Sequence, residues 1–315
     1  MSDKIKKILI TGGNGNLGRL VSEQLLNQQQ GVVKFDIPGT EPATLRDNEV
    51  VVTGDIRDTD TLEKIIIEHR PDTIYHLASL LSGSSELDLS DAWDINATSS
   101  FELMKLALKH QVRQFFFAST IATYGAVNND PMPEDYEQWP ENMYGVTKVA
   151  VERLGIYFKV KHGLDFRCLR FPLVVSPFAP KTAVTAFPSH ALRAAHDGDS
   201  FVFPVSENVG MSTIFLEDVV DSIVQFTSAD RSNLSRHVYN LHAYYLSAGM
   251  IARAAVEHFP GFKYRYEPID SVEGLINSWP DVMDDASARH DWGWNPGYDL
   301  TRSVDRMCGL LRQES

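Results

Sequence analysis

A glycine-rich turn between a short apolar run and a helical pattern constrains this chain more than any other part of its sequence. Residues 7–11 read KILIT, which is typical of a strand buried in a parallel sheet. The glycines of TGGNGNLG follow, and apolar residues then recur at helical spacing from Leu17 to Leu25. Gly12 permits a tight turn, Gly15 lets a pyrophosphate come close to the backbone, and Gly18 lets the helix pack closely on the strand. This order of elements predicts that the segment binds a dinucleotide.

The next apolar run places an acid where a dinucleotide-binding unit needs one. Residues 32–35 predict a second strand, and Asp36 follows at its carboxyl end. A carboxylate at this position can bind the hydroxyls of the adenine ribose and repels a 2′-phosphate, so the sequence predicts NAD rather than NADP. The glycine spacing is GxxGxxG, which differs from the better-known GxGxxG.

Strand and helix patterns then alternate along the chain. The further predicted strands are 50–53, 73–76, 114–118 and 166–170, and the predicted helices between them are 59–69, 89–110 and 143–162. Such alternation is typical of an α/β fold with a doubly wound parallel sheet, the Rossmann architecture. Because ligands of such sheets bind at the carboxyl ends of the strands, we expect cofactor and substrate to meet there.

The C-terminal part predicts a smaller α/β lobe. We predict a dinucleotide-binding Rossmann domain over 1–172 and a mainly substrate-binding lobe over 173–315, with a segment of about 211–241 returning to the first domain. The patterns behind this division are a strand at 211–215 that enters a helix, a strand at 238–241 and a helix at 248–259.

Composition and charge exclude several classes of function. The net charge of -13 argues against general affinity for nucleic acid or for an anionic membrane. No apolar run is long enough to cross a bilayer and the first residues lack the features of a signal peptide, so we expect a cytoplasmic protein. Cys168 and Cys308 stand far apart and the histidines show no HExxH spacing, so the sequence predicts neither a disulfide nor a metal site.

The segment YGVTK at 144–148 carries candidate acid–base residues. Positions i and i+4 lie on one face of a helix, so the ammonium of Lys148 would rise toward the phenol of Tyr144. An ordinary solvent-exposed helix gives the same spacing, so spacing alone leaves both interpretations open. A phenol titrates near ~10, so a tyrosinate base at neutral pH needs a pKa lower by about 3 units, or about 4 kcal/mol. A neighbouring ammonium and the positive charge of an oxidised nicotinamide both favour that anion.

Taken together, these motifs make the chain resemble the extended short-chain dehydrogenase/reductase family over nearly its whole length. The segments that carry the resemblance are TGGNGNLG at 11–18, Asp36, GDIRD at 54–58, YHLAS at 75–79, NAT at 96–98, ASTIATYG at 118–125, YGVTK at 144–148 and LRFP at 169–172. The resemblance implies that Tyr144 is the acid–base and that Thr120 hydrogen-bonds the reacting oxygen. It implies that Lys148 binds the nicotinamide ribose and lowers the pKa of the tyrosine.

The resemblance also implies a set of cofactor-binding residues. Asp55 and Ile56 would border the adenine, and Ala78 the inner ribose. The full set is Gly12, Gly15, Asn16, Leu17, Gly18, Asp36, Asp55, Ile56, Leu77, Ala78, Ser79, Asn96, Tyr144, Lys148, Phe171 and Leu173. Asn96 would support the active-site helix, although it could instead be a simple cap of the helix that begins nearby.

The C-terminal sequence narrows the expected substrate. SWPDVMDDASARHDWGW at 278–294, with HRPDTIYHLASLLSG at 69–83, looks like the short-chain type of L-threonine 3-dehydrogenase, which oxidises the C3 hydroxyl of threonine with NAD. From chemistry alone, the tryptophans are also typical of a packed aromatic anchor under a surface loop. The resemblance implies that the substrate contacts are Ser82, Thr120, Tyr144 and Thr185.

Two departures keep alternatives open. Leu173 stands where threonine enzymes carry glycine, and Ala186 stands at the position of an aspartate that would pair with the ammonium of an amino acid. The middle segment is more like that of a related branch that oxidises hydroxy acids such as erythronate. We therefore expect oxidation of threonine or a close 3-hydroxy amino acid. The alternatives are a dehydrogenase of small hydroxy acids and a nucleotide-sugar epimerase or dehydratase.

A non-enzymatic nucleotide-sensing protein is a further alternative. Loss of Tyr144 or Lys148 would have indicated such a protein, and both residues are present.

The resemblance also implies a homodimer formed through the helices at 89–110 and 143–162. Their apolar positions would equally suit burial against the sheet, so the sequence leaves the oligomeric state open.

Overall fold

The computed structural model describes residues 6–126 and 129–314 of the 315-residue chain. The first five residues, which are part of the stretch expected to lack a signal peptide, lie outside the described residues. The described strands are β1 (Lys7–Thr11), β2 (Gly31–Asp36), β3 (Glu49–Thr53), β4 (Thr73–His76), β5 (Gln114–Thr120), β6 (Asp165–Phe171), β7 (Leu173–Val175), β8 (Phe201–Phe203), β9 (Gly210–Phe215), β10 (Val238–Asn240), β11 (Tyr244–Ser247) and β12 (Tyr264–Tyr266).

The described α-helices follow the predicted alternation. They are α1 (Asn16–Asn27), α2 (Thr59–His69), α3 (Ser82–Ser85), α4 (Leu89–Trp93), α5 (Ser99–Lys109), α6 (Met143–His162), α7 (Phe187–Asp197), α8 (Leu216–Ser228), α9 (Ala248–His258), α10 (Asp270–Asn277), α11 (Ala286–Trp292) and α12 (Leu300–Glu314). A π-helical segment, Asp94–Thr98, joins α4 to α5. The helices predicted at 59–69 and 143–162 are confirmed, whereas the one predicted at 89–110 contains this π-helical segment.

Contacts divide the chain into two compact units. The first consists of Met1–Ser119, Asn142–Leu169 and Val220–Val238, and the second of Thr120–Glu141, Arg170–Val219 and Tyr239–Ser315. The domain boundaries and the cofactor and substrate roles predicted from the sequence stay predictions, because compactness does not show what either unit binds.

A seven-stranded parallel sheet in the order β10-β6-β5-β4-β1-β2-β3 confirms the predicted doubly wound α/β fold. From β1 the chain moves outward to β2 and β3, and then returns to β4 on the other side of β1. The carboxyl ends of β1, β2 and β4 are level, because Thr11 pairs with Phe35 on one side and with His76 on the other. The strand order therefore reverses between β1 and β4, which is where sheets of this kind bind their ligands.

The centre of the sheet is apolar because it is covered on both faces. Leu9 in β1, Ile74 in β4 and Phe115 in β5 are completely buried. On α5, Leu103 and Met104 belong to the same buried cluster. This packing gives the carboxyl ends of the strands a rigid base.

The second unit contains two small sheets. In the first, β9 lies between β7, which is parallel to it, and β11, which is antiparallel. In the second, β8 pairs with β12 in parallel. The ring of Phe203 packs against those of Phe187, Phe201 and Tyr264, which gives this unit an aromatic core.

The tryptophan-rich segment also packs inside the second unit. From chemistry alone, the tryptophans were typical of an aromatic anchor under a surface loop, and the structure also contains α10 and α11 within residues 269–300. Trp294 is buried and its Nε1 donates to Asp285 Oδ2 at 2.9 Å. Trp292 lies edge-on to the ring of Tyr239. Among the described helices, none combines the length and the apolarity needed to cross a membrane.

Candidate active site

The glycine turn lies at the carboxyl end of β1, against the end of β4. Gly12 has a φ of 70°, which residues with a side chain rarely adopt, and a Cβ there would lie 2.7 Å from the backbone nitrogen of Ala78. A Cβ on Gly18 would collide with the carbonyl oxygen of Gly12, so α1 packs directly on the loop. A Cβ on Gly15 would meet only that same oxygen among the described residues, at 3.3 Å. The loop is therefore open at Gly15, where a phosphate needs to approach.

The amino end of α1 fits a pyrophosphate. Gly15 precedes the helix, Gly15 and Asn16 are exposed, Leu17 is half-buried, and no described side chain caps the helix. The first backbone N–H groups of a helix bind anions readily, because they point outward at the positive end of the helix dipole. The open loop and these donors fit the diphosphate of a dinucleotide.

Asp36 lies at the edge of this cradle. Its Oδ2 accepts hydrogen bonds from the backbone N–H groups of Asn14, at 2.8 Å, and Gly15, at 3.2 Å. Its Oδ1 accepts a hydrogen bond from the N–H of Ile37 at 2.8 Å. The carboxylate is thus fixed beside the phosphate cradle, where a ribose-binding acid is predicted.

The residues predicted to border the adenine follow β3. Asp55 pairs with Arg57 at 2.6 Å, and Arg57 also reaches Asp91 at 2.9 Å. The hydrogen bond from Arg57 lowers the pKa of the Asp55 carboxyl. Ile56 is buried in the apolar cluster of the first unit. The residues that follow β3 therefore place one apolar and one charged group next to the end of β2.

Asn96 connects the loop after β4 to α6. It is 3% exposed and lies in the π-helical segment between α4 and α5. Its Oδ1 accepts from the N–H of Leu80 at 2.8 Å and from Ser79 Oγ at 3.0 Å. Its Nδ2 donates to the carbonyl of Leu80 at 3.1 Å and to Thr147 Oγ1 at 3.2 Å. Because Asn96 lies inside a continuous helical stretch, the alternative in which it caps a helix is wrong.

Helix α6 carries Tyr144 and Lys148. Asn142 begins the helix, since its Oδ1 accepts from the N–H of Gly145 at 2.7 Å. Lys148 Nζ lies 5.3 Å from the centroid of the Tyr144 ring. Tyr144 is half-buried, whereas Lys148 is only 4% exposed. An ordinary solvent-exposed face therefore does not describe this part of the helix.

Burial controls the charge of Lys148. Its Nζ donates to the carbonyl of Ala118 at 2.9 Å and lies 4.6 Å from the centroid of the Phe117 ring. Loss of hydration lowers the pKa of Lys148 to about 8, and the neighbouring Cys168 and Glu152 act in the opposite direction. The ammonium is thus near its titration range at mildly alkaline pH.

The sequence did not predict a buried hydrogen-bond chain that connects the glycine loop to Asn96. His76 Nδ1 lies 2.7 Å from Thr11 Oγ1, and its Nε2 lies 2.7 Å from Ser100 Oγ. Ser100 Oγ in turn donates to the carbonyl of Asn96 at 2.5 Å. Burial lowers the pKa of His76 to about 3, so the imidazole is neutral. A histidine within a predicted buried strand is the sequence signal that indicates such a chain.

Three predicted residues at strand ends belong to the second unit. Thr120 ends β5, and its Oγ1 accepts from the N–H of Ala122 at 3.2 Å. Phe171 ends β6 and is buried, and Leu173 begins β7 and is half-buried.

The predicted substrate residues divide between the units. Ser82 begins α3 and belongs to the first unit, as Tyr144 does. Thr185 and Ala186 belong to the second unit, in a 3-10 turn before α7, where they are 8% and 7% exposed. Ala186 presents only a methyl group at the position where the sequence resemblance implies an aspartate.

Comparison with known proteins extends these observations. The family model described as the NAD dependent epimerase/dehydratase family matches residues 8–241. Among curated proteins, the chain is 32% identical over 313 residues to an uncharacterized epimerase/dehydratase of Staphylococcus saprophyticus, covering 98% of this chain and 97% of that protein. It is 30% identical over 309 residues to the mitochondrial L-threonine 3-dehydrogenase of Sus scrofa, covering 96% of this chain and 82% of that protein.

A solved structure shows the same similarity in three dimensions. The structure of L-threonine dehydrogenase from Clostridium difficile superimposes with a TM-score of 0.92 at 29% identity. The match covers 98% of this chain and 98% of that one.

Proposed function

This chain belongs to the NAD-dependent epimerase/dehydratase family and uses NAD, and from that premise we propose that it oxidises the 3-hydroxyl of L-threonine, or of a close 3-hydroxy amino acid, to the ketone. It is an enzyme of the short-chain dehydrogenase/reductase type. The proposal of the substrate is supported by full-length similarity to proteins named L-threonine 3-dehydrogenase. The observation that carries the chemistry is the buried ammonium of Lys148, 5.3 Å from the ring centroid of Tyr144.

The residues at the carboxyl edge of the sheet fit NAD. We assign the pyrophosphate to the backbone N–H groups at the start of α1, the adenine ribose to Asp36, and the adenine to Asp55 and Ile56. NAD held by these residues would supply the acceptor for the hydride that leaves the substrate carbon.

Tyr144 is proposed to take the proton of the substrate hydroxyl. The phenolate is the base, and the positive charge of Lys148 favours it over the neutral phenol. Since Lys148 is buried, water screens this attraction less than it would at the surface. The carbonyl of the product then forms as the C–H and O–H bonds of the substrate break.

Three further side chains are proposed to orient the substrate. The hydroxyl of Thr120 would donate to the reacting oxygen, which directs the substrate hydroxyl toward the base. Ser82 and Thr185 would contact the remaining polar groups of the substrate, and both offer a hydroxyl that can donate or accept.

The methyl group of Ala186 favours a second candidate, a dehydrogenase of small hydroxy acids. A buried ammonium without a counter-charge is costly, and Ala186 removes the acid that would supply it at this position. A hydroxy acid such as erythronate has no ammonium and would bind without that cost.

One assay separates these candidates. NADH formation is followed by absorbance with threonine, allo-threonine, serine, 3-hydroxybutyrate, erythronate and UDP-sugars in parallel, with Tyr144→Phe as the inactive control. Turnover of threonine above all other compounds supports the proposal. Preference for erythronate or 3-hydroxybutyrate would replace it with the second candidate. An epimerase or dehydratase regenerates its NAD in each turnover and accumulates no NADH, so the UDP-sugar samples are also analysed by chromatography. An altered sugar there would place the enzyme among the epimerases or dehydratases.

A homodimer is also proposed, because the helices expected to form it carry exposed apolar side chains. These are Leu89, Trp93 and Phe101 along α4 and α5, and Val146, Tyr157 and Val160 on α6. A second copy of the chain would cover them. Sedimentation should give twice the chain mass for the parent protein and the mass of one chain for the Trp93→Glu, Val160→Glu double variant. Ile67→Glu on α2 is the control and should stay a dimer.

The cytoplasmic location expected from the sequence also stays a proposal.

A further inference from the structure

A cavity of about 450 Å³ lies at the amino edge of the seven-stranded sheet. Among its lining residues, Lys6 precedes β1, Arg113 precedes β5 and Asp165 begins β6. The glycine turn lies at the opposite ends of these strands. The residues that line the cavity belong to the first unit, and they include none of those assigned above to the cofactor or the substrate.

The buried part of the cavity wall is an ion pair. Arg167 is 3% exposed, and its Nε and Nη2 donate to Asp165 Oδ2 at 3.1 and 3.0 Å. Gln114 Nε2 donates to the same oxygen at 3.1 Å. Arg167 Nη1 donates to the carbonyl of Ala229 at 2.8 Å, just beyond the end of α8. These contacts fix the wall and occupy a carbonyl that would otherwise repel an anion.

One acceptor in this wall has no donor. Asp165 is 6% exposed, and the three hydrogen bonds from Gln114 and Arg167 all reach its Oδ2. Its buried Oδ1 accepts no hydrogen bond from any group that the structure describes. A buried acceptor without a partner is costly, so a ligand that brings a hydroxyl to Oδ1 gains affinity from it.

The exposed part of the lining carries cations. Within residues 6–126 and 129–314, no carboxylate forms an ion pair with the ammonium of Lys6 or the guanidinium of Arg113. Arg231 donates from Nη1 to the carbonyl of Gly163 at 3.2 Å, and its guanidinium has further N–H groups. These three side chains can therefore turn toward an anion without giving up an acidic partner.

The charges of the lining suit a dianion. It has a surplus of two positive charges, since its cations are Lys6, Arg113, Arg167 and Arg231 and its acids are Asp165 and Asp230. This surplus is local, because the whole chain carries a net charge of -13. A phosphate monoester carries a charge of about -1.5 to -2 at neutral pH, and guanidinium groups match its oxygens in pairs. The same surplus would repel the ammonium of an amino acid.

The rest of the lining favours a small polar ligand. Among the lining residues that the structure describes, Ala229 alone is apolar and none is aromatic. A nucleobase would therefore find no ring on which to stack. The cavity volume is in the range of small-molecule sites. A phosphate ester of a short polyol fits both the polarity and the size better than a nucleotide does.

We propose that this cavity binds a small phosphate monoester that carries a hydroxyl group. Lys6, Arg113 and Arg231 hold the phosphate, and Asp165 Oδ1 accepts from the hydroxyl. The site is separate from the proposed active site, and its occupancy is measured without turnover. The inference therefore does not rest on the proposed substrate.

Calorimetric titration with glycerol 3-phosphate tests the site. Saturating NADH is present throughout, so that the ester cannot occupy the phosphate cradle at the start of α1. The parent protein should bind the ester, and Arg113→Gln should weaken binding by about tenfold, because a charge-assisted hydrogen bond is lost. Lys6→Gln is a second variant with the same expected direction.

A matched control separates the cavity from a general effect of charge. Lys64→Gln removes an exposed positive charge from α2, outside the lining, and should bind the ester as the parent does. Thermal unfolding shows that each variant is folded. No binding by the parent, or the same weakening in Lys64→Gln as in Arg113→Gln, would overturn the proposal.

The choice of ligand tests the chemical class. Propyl phosphate keeps the phosphate but has no hydroxyl for Asp165, so it should bind about tenfold more weakly than glycerol 3-phosphate. Inorganic phosphate should also bind more weakly, and equal or tighter binding would make free phosphate the ligand and reject the ester. Succinate is a dianion without a phosphate, and binding as tight as that of the ester would reject the phosphate class. Binding of the ester with no oxidation of any substrate would refute the proposed function and leave this site standing.

Discussion

Lys148 points back along its helix, so that its Nζ lies 5.3 Å from the centroid of the Tyr144 ring while donating to the carbonyl of Ala118 at 2.9 Å. The ammonium is thus held by a hydrogen bond from the side of the sheet while it faces the tyrosine ring. Thr147 Oγ1 donates to the Tyr144 carbonyl at 2.8 Å and accepts from Asn96, so the backbone at the tyrosine is fixed independently. Two separate supports therefore set the distance between the charge and the phenol.

Replacing the tyrosine tests its role as the base. Tyr144→Phe should lower kcat by about 10²- to 10⁴-fold, the range of a lost general base, because it removes the proton acceptor and leaves the ring. NADH binding, measured by fluorescence titration, should stay nearly unchanged. Tyr157→Phe, an exposed tyrosine on the same helix, is the matched control and should keep full turnover. Equal rates for parent and Tyr144→Phe would remove Tyr144 from the mechanism.

The pH dependence of turnover tests the charge of Lys148. Because burial lowers the pKa of Lys148 to about 8, the rate of oxidation should decline as the pH rises through that value and the ammonium is lost. A guanidinium keeps its charge throughout this range, so the activity left in Lys148→Arg should show no such decline. Initial rates of NADH formation between pH 6 and pH 10 provide the measurement. An identical alkaline decline in both proteins would assign it to another group.

Elements that depend on local pattern could be predicted from the sequence, whereas contacts between distant segments could not. The strand, glycine turn and helix around Gly12 follow from neighbouring residues, and the structure has them where expected. The role of Asn96 depends on Thr147, 51 positions away, and that of His76 on Thr11, 65 positions away. The periodicity of one segment carries no information about a hydrogen-bond partner in a distant segment. α10 and α11 were not predicted, because they span only eight and seven residues and so show no more than about two turns of helical pattern.

A methyl group at Gly18 should disable the cofactor cradle. Its Cβ would collide with the carbonyl oxygen of Gly12, so the loop and the start of α1 must separate. We expect Gly18→Ala to weaken NADH binding by at least about tenfold, equivalent to about 1.4 kcal/mol. Gly274→Ala is the control, because a Cβ there meets no described atom within 4 Å and alanine suits the interior of α10. Calorimetric titration with NADH measures both, and equal affinities would show that the cradle is not at this loop.

The charge of Asp36 should set the preference between NAD and NADP. Asp36→Asn keeps an oxygen that can accept from the N–H groups of Asn14 and Gly15, but it no longer repels a 2′-phosphate. The ratio of kcat/KM for NAD to that for NADP should therefore fall by about tenfold or more, a difference of about 1.4 kcal/mol. Asp55→Asn, which changes the neighbouring acid, should move the ratio less, since Asp55 is already paired with Arg57. An unchanged ratio in Asp36→Asn would place the ribose elsewhere.

The position of Ala186 should decide between a substrate with an ammonium and one without. Ala186 is 7% exposed, so a carboxylate placed there is largely removed from water and gains most from a cationic partner. Ala186→Asp should raise kcat/KM for threonine relative to 3-hydroxybutyrate, its analogue without the amino group, by about tenfold. Ala186→Asn adds nearly the same volume without the charge, and it should lower both values without changing their ratio. The two substrates are compared at one pH near neutrality, where the ammonium of threonine is fully charged. If the ratio of kcat/KM for threonine to that for 3-hydroxybutyrate falls in Ala186→Asp, the amino group lies away from this turn. The alanine at position 186, where the resemblance implies an aspartate, would then carry no information about the substrate.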